Sequence, residues 1–290
     1  MTARSLHLST LGIALASLSA CQSTPSVPAR EPTHQTITIQ TYSDPRVGEL
    51  TRKLAAETTL FVFDIDNTLL ESPAGQFLGS DQWYRWQKTL EDDSPQKVEC
   101  VLQLQGAAYY MAHLVATEEG ASATYVNSLQ QSGYDVMALT ARSPQFRPST
   151  MRELMANGFD FSKSLPAGHR GFPGTYKPKQ TDLITSPREA SYQQGVAMLA
   201  GQHKGAALAD LLSRIGASDK YQDIVFFDDD DKNTQAMTES LTKSGSSAVV
   251  FLYRAVDTRL DQYSFQETGD GQAAMLKAFG MFQRRSGCDI

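Results

Sequence analysis

The chain has 290 residues, 41% of them hydrophobic and 20% charged, with a formal net charge of −6 at pH 7. That is enough apolar chain for one large globular body with an insertion, or for two modest domains. There is no basic footprint, which speaks against nucleic acid as a partner; the acidity itself decides little about a site, because a bound divalent cation reverses it locally.

The first residues form a leader. Arg4 gives a positive start, Leu11 to Leu18 is a short apolar run, and Ser19-Ala20-Cys21 closes it. This layout predicts a signal peptide over residues 1–20, too short to stay in a bilayer as a spanning helix. The tetrapeptide Leu18-Ser19-Ala20-Cys21 resembles a bacterial lipobox, in which the cysteine becomes the lipidated first residue; plain cleavage with Cys21 as a bystander is the alternative. Gln22 follows the cysteine, and by resemblance to Gram-negative lipoproteins this favours the outer membrane. The expectation is an exported chain, held in the bacterial cell envelope by a lipid anchor at Cys21 and facing the periplasm. Cys100 and Cys288 are the other two cysteines; they pair in an oxidising compartment or remain two separate thiols. Residues 21–45 are rich in Ser, Thr and Pro and read as a flexible tether, leaving 46–290 as the folded body.

From residue 46, helices alternate with buried strands. Val47 to Thr58 predicts a helix, and Thr59-Leu60-Phe61-Val62-Phe63 a strand ending at Asp64. A helix over Ser122 to Gly133 leads into a strand from Tyr134 that ends at Thr140. Lys204 to Ile215 has helical apolar spacing, Asp223 to Phe227 is a strand ending at Asp228, Ser247 to Tyr253 another strand, and Ala273 to Phe282 a short helix. Continuous apolar strands separated by helices predict an α/β fold with a parallel sheet covered on both faces. Ligands in such sheets bind at the carboxyl ends of the strands.

The chemistry gathers at those ends. In Phe63-Asp64-Ile65-Asp66-Asn67-Thr68, two aspartates straddle one residue at the mouth of an apolar strand, an expensive place for carboxylates without partners. The pair offers a nucleophile, Asp64, and a proton donor and acceptor, Asp66. A calcium loop is the competing reading, but the Gly and distal Glu of an EF-hand are missing. In Phe227-Asp228-Asp229-Asp230-Asp231-Lys232-Asn233, four consecutive acids follow a buried strand. Adjacent carboxylates raise one another's pKa unless a cation offsets them, and Mg²⁺ typically takes one or two carboxylates plus phosphate and water.

The segment around Asp64 resembles motif one of the haloacid-dehalogenase (HAD) superfamily. Leu139-Thr140-Ala141-Arg142 resembles its second motif, Lys204 at a helix start its third, and the acidic run its fourth, in the family's order. The resemblance implies a Rossmann-like parallel sheet and phosphohydrolase chemistry through an aspartyl-phosphate. It implies Asp64, Asp66, Thr140 and Lys204 as catalytic residues, and Thr140, Lys204 and Asn67 as substrate contacts. The metal would be Mg²⁺ at Asp64, Asp228, Asp229 and the backbone carbonyl of Asp66, with Asn233 in support. Asp230 and Asp231 read as helix-start acids, Arg142 more readily as a solvated surface arginine than as a residue facing the substrate, and His203 as a neighbour of Lys204. More narrowly, Phe63-Asp64-Ile65-Asp66-Asn67-Thr68-Leu69-Leu70-Glu71 followed by Leu78-Gly79-Ser80-Asp81-Gln82-Trp83 looks like the DUF2608 family within the HAD-like proteins.

Between Asp66 and Thr140 lie 73 residues, far more than a crossover helix needs. Residues about 72–118, with Trp83, Tyr84, Trp86, Tyr109 and Tyr110, resemble a mainly helical cap of the C1 position; the competing reading, favoured for each aromatic taken singly, is that they form the cap's own core. A cap favours a small phosphorylated molecule as substrate. A second long stretch, 143–195, is left open. The competing functional class is a surface binding module on the same fold that captures a phosphorylated ligand or protein without turnover. An acid phosphatase of the lipoprotein type fits the Asp-Asn-Thr core and the acidic run less well.

Overall fold

A computed structural model of the chain describes residues 33–73, 81–99, 101–111, 113–260 and 269–277. The leader, Cys21, Cys100 and Cys288 lie outside the described residues. In chain order the elements are β1 (His34–Ile39), α1 (Pro45–Thr51), β2 (Thr59–Phe63), β3 (Leu70–Glu71), α2 (Asp81–Thr89), α3 (Val101–Met111), β4 (Val115–Ala116), α4 (Ala121–Gln131) and β5 (Asp135–Thr140). They continue with α5 (Arg147–Ala156), β6 (Ser191–Gln193), β7 (Val196–Met198), α6 (Lys204–Arg214), β8 (Asp223–Asp228), α7 (Asp231–Ser244), β9 (Ser247–Tyr253) and α8 (Asp257–Leu260).

Among the described residues, seven strands form one sheet in the order β1-β9-β8-β2-β5-β7-β6. Every neighbouring pair is parallel except the edge pair β6 and β7. Strand side chains alternate faces, so each apolar run supplies two cores. Phe61, Phe63, Val225, Phe227, Phe251 and Tyr253 join one core with Val47 of α1, Val126 and Leu129 of α4 and Leu154 of α5. Leu60, Val62, Ile224, Phe226 and Val250 join the other with Leu208 and Leu211 of α6 and Met237 and Leu241 of α7. The fold is therefore mixed α/β, a mostly parallel sheet between helical layers. From β2 the chain first reaches β5 on one side and later β8 on the other. The crevice at the carboxyl end of β2 is thus the switch point where such sheets bind ligands.

Three local expectations change. The tether does not extend to residue 45: His34–Ile39 pairs in parallel with β9, Ile37 opposite Phe251. The alternation in His-Gln-Thr-Ile-Thr-Ile is a period-two signal that the surrounding Ser, Thr and Pro obscure. The first helix spans Pro45–Thr51 rather than 47–58. Asp44 caps it and Pro45 opens it, while Ala55 is extended and turns the chain into β2 through a single 3-10 turn. Residues 269–277 are helical, so the last helix already includes the four residues before Ala273, while its expected end at Phe282 lies outside the described residues.

The excursion after β2 is tied at its base by the antiparallel ribbon β3–β4, Leu70 opposite Ala116. Its helices α2 and α3 build a third apolar core from Trp83, Trp86, Val98, Leu104 and Ala108, into which Met275 packs. Trp83 donates its indole N–H to Gln272 at 2.9 Å. Trp83 and Trp86 are core residues, as the competing reading of the aromatics had it. Tyr84 and Tyr109 have another position, described below.

Candidate active site

The Asp64 loop is a direct extension of the central strand. The Asp64 backbone N–H continues the ladder to the Phe227 carbonyl at 2.9 Å. The Ile65 carbonyl then accepts from Leu69 and Leu70 at 2.9 Å each, so the chain reverses tightly. Asn67 lies inside this reversal at φ 59°, a left-handed conformation that Asn tolerates better than most side-chain-bearing residues. Its side chain donates to Asp229 at 3.2 Å, linking the loop to the end of β8.

Lys204 joins the two acidic strand ends. Its ammonium lies 2.6 Å from Asp64 Oδ1 and 2.6 Å from Asp228 Oδ2, and its side chain is 1% exposed. Two local features place it. His203 caps α6 by accepting from the Ala206 N–H at 3.2 Å. Gly205 lets α6 press against α7: a Cβ there would sit 2.5 Å from Ser240 Oγ and 2.7 Å from the Ala236 carbonyl. The second oxygen of Asp228 accepts from the Asp230 N–H at 2.9 Å and from Asn233 Nδ2 at 3.1 Å. Asp230 itself caps α7, accepting from Lys232 N at 2.7 Å and Asn233 N at 3.2 Å.

Asp64, Asp228 and Asp229 each present a carboxylate oxygen within 4.8 Å of the others. They form a group that can hold one oxygen-preferring cation. One ammonium among three carboxylates leaves the cluster short of positive charge. Burial, reinforced by Asp228 and Asp66, holds the Asp64 carboxyl up at about 8 although Lys204 pulls it down. Burial alone would depress Lys204, yet Asp228 and Asp64 outweigh it and hold the ammonium well above its usual range. Oxygen ligands, surplus negative charge and a loop that turns back on itself all suit a hard divalent ion.

The Asp66 carboxylate is turned away from that group. Arg142 grips it in a two-point pair, Nε to Oδ2 at 3.0 Å and Nη2 to Oδ1 at 2.7 Å. Of Asp66, only the backbone carbonyl remains for a metal. Arg142 is not a solvated surface residue: its side chain is 2% exposed. It also donates to Thr150 of α5 at 2.9 Å and lies 4.1 Å over the Tyr109 ring of α3. Sequence reasoning missed this because the partners are 76 residues apart. Thr140 is fully buried, and its hydroxyl accepts from the Arg142 N–H at 3.1 Å.

Above these groups opens a cavity of about 730 Å³. Asp64, Asp66, Lys204, Asp229 and Asn233 line one part of it, and Ala141 and Arg142 another; α2 and α3 add Tyr84, Lys88, Leu102 and Tyr109, and the loop before β6 adds Arg188. The stretch 143–195 therefore does reach the site. Asp64, Asp66, Lys204 and Asp229 border the cavity, whereas Asn67, Thr140 and Asp228 are packed beneath them. Arg254, not singled out in the sequence, donates to the Asp229 carbonyl at 3.0 Å.

Among solved structures, the chain is similar to one described as the crystal structure of a hydrolase from Pseudomonas syringae. The two share 12% identity at a TM-score of 0.35, over 71% of this chain and 98% of that one. No curated protein matches the chain. The family model described as "Protein of unknown function (DUF2608)" matches residues 43–278. That match takes in every residue of the site described above, and the chain belongs to the DUF2608 family.

Proposed function

We propose that the protein is a Mg²⁺-dependent phosphohydrolase of the HAD type that acts on a small phosphorylated molecule through an aspartyl-phosphate at Asp64. The observation that carries this reading is Lys204 bridging Asp64 and Asp228 beside Asp229 at the switch point of the sheet. The residues present fit the ion: three carboxylates and the Asp66 carbonyl would hold it, and when bound there Mg²⁺ supplies positive charge to the phosphoryl oxygens as a Lewis acid.

In this reading Asp64 attacks phosphorus and forms an acyl phosphate as the ester P–O bond breaks. The leaving oxygen takes its proton from Asp66. A water then attacks the acyl phosphate, its proton passing to Asp66, and phosphate leaves with Asp64 restored. Lys204 holds Asp64 in position and offsets charge that develops on the phosphoryl group. Asn67 supports the cradle from beneath by holding Asp229, Thr140 packs beneath it at the end of β5, and the α2–α3 excursion excludes water.

The test is Mg²⁺-dependent release of p-nitrophenol from p-nitrophenyl phosphate by the folded body. Turnover that vanishes in EDTA and in Asp64→Asn supports the reading. Binding of a phosphorylated ligand without turnover would make the protein a capture module instead. The proposal extends to an exported protein lipid-anchored at Cys21, which mass spectrometry of the mature N-terminus checks: an unmodified Cys21 refutes it.

A further inference from the structure

The cavity is larger than a phosphoryl group requires, and its outer part has a charge pattern of its own. Of the cations that line it, Lys204 is held by Asp64 and Asp228, Arg142 by Asp66, and Arg85 by Asp230 at 3.1 Å. Lys88 and Arg188 remain. Among the described residues neither is paired with a carboxylate. The Lys88 ammonium sits 4.1 Å from the centre of the Tyr84 ring, which steers it on its own helix without neutralising it. Arg188 has its backbone N–H fixed by Gln202 Oε1 at 2.8 Å. Glu189 also lines the cavity, but its carboxylate accepts from the Thr175 hydroxyl at 3.1 Å, so the two cations leave this part of the lining with one net positive charge. The same lining holds an apolar and aromatic set, Tyr84, Tyr109, Leu102 and Phe146, interleaved with the neutral polar Gln105, Ser143 and Gln145. Leu102 is 54% exposed, an apolar side chain left open at the mouth of a polar site.

We propose that the substrate is a phosphomonoester whose leaving group carries a second anionic group on a flat apolar body, and that Lys88 and Arg188 receive this second charge. The inference rests on the phosphohydrolase reading and names its substrate class. The metal side of the cavity takes the ester phosphate, the Tyr84–Leu102–Tyr109 wall takes the body of the leaving group, and the two cations take its far end. A carboxylate and a second phosphate share the required chemistry.

A matched pair of esters tests it: 4-carboxyphenyl phosphate and its neutral analogue 4-carbamoylphenyl phosphate, with Mg²⁺ present. The neutral ester has the slightly better leaving group, so intrinsic reactivity works against the expected preference. Two partly exposed charge pairs predict a kcat/KM ratio of roughly five- to thirty-fold in favour of the carboxylate. The ratio falls toward one in 0.5 M NaCl and in the double variant Lys88→Gln, Arg188→Gln. A wild-type ratio within about twofold of one, or an undiminished ratio in the double variant, overturns the proposal. If the wild type turns over neither ester, p-nitrophenyl phosphate decides whether the phosphohydrolase reading fails, and calorimetric affinities for the two esters decide the second-anion pocket separately. Tighter binding of the carboxylate that the double variant abolishes supports the second-anion pocket, and equal or unmeasurable affinities refute it. An exchange of carboxylate for phosphate in the probe shows which anion is favoured.

Discussion

Replacement of Lys204 by Met removes the one ammonium that Asp64 and Asp228 share while keeping much of the apolar stem. Lys204 is 1% exposed and Asp228 fully buried, so Asp228, and Asp64 wherever it ionises, loses its counter-charge where water cannot replace it. Breaking one side of a buried ion pair costs about 3–5 kcal/mol. For a body of this size that corresponds to roughly 6–20 °C in Tm. The loss is expected in EDTA, measured by calorimetry or circular dichroism. Metal changes the comparison. A more negative cluster binds a divalent cation more tightly, so the rise in Tm on adding MgCl₂ is expected to be larger in Lys204→Met than in wild type. The pH dependence has a definite sign. Burial raises Asp64 to about 8 in the folded protein, against about 3.9 unfolded. The folded state therefore keeps a proton that the unfolded state lacks, and metal-free stability falls as pH rises through that window. Lys204 lowers the Asp64 value, so in its absence the fall continues to higher pH. A variant as stable as wild type in EDTA, or one with an equal or smaller response to Mg²⁺, would refute the electrostatic account of the site.

Asp66→Asn removes the proton donor, and the leaving group decides how much that matters. The variant should lose about 10²–10⁴-fold in kcat/KM on an alkyl phosphate and less than about tenfold on p-nitrophenyl phosphate, whose phenolate departs without a proton; equal losses on both would exclude the acid role. Gly205→Ala puts a methyl 2.5 Å from Ser240 Oγ and 2.7 Å from the Ala236 carbonyl, an overpacking cost of about 1–3 kcal/mol in urea unfolding. Adding Ser240→Gly should recover only part of it, because the backbone carbonyl stays. Arg147, which burial lowers to about 10, donates to the carbonyl and hydroxyl of Ser191 and to the carbonyls of Gln193 and Val196 at 2.7–3.3 Å. Arg147→Met leaves those acceptors unmet and should cost on the order of 3 kcal/mol, with faster amide exchange in β6 and β7 than in β8.

The parts of the site that were legible in the sequence are those whose signal is local. An apolar run that ends in a carboxylate or hydroxyl is read within a few residues, and Asp64, Thr140 and Asp228 all end such runs. Lys204 was legible because it opens an amphipathic helix 24 residues before Asp228. Arg142 was misread for the opposite reason. Its burial depends on Thr150, Tyr109 and Asp66, which only the folded chain assembles, and an arginine two residues beyond a strand carries no local mark of that environment. Lys88 and Arg188 belong to the same class, since a cation's facing direction is not encoded in its neighbours. The strand His34–Ile39 was obscured by composition: its alternation is clear, but it lies among residues that favour a loop.

The Arg142 clamp connects these levels. It joins the end of β5, the Asp66 loop of β2, helix α5 through Thr150 and helix α3 through the face of Tyr109. A carboxyl that is to give a proton to a leaving group has to come away from a two-point guanidinium pair, because that pair occupies both its oxygens. The residue that holds Asp66 also stacks on the α3 wall of the cavity. A leaving group that settles against Tyr109 thus meets the support of the acid before it meets the acid itself. On the proposed reading, contact at the wall and release of Asp66 at the floor are linked through one buried group, and the α2–α3 excursion takes part in the chemistry rather than only covering it.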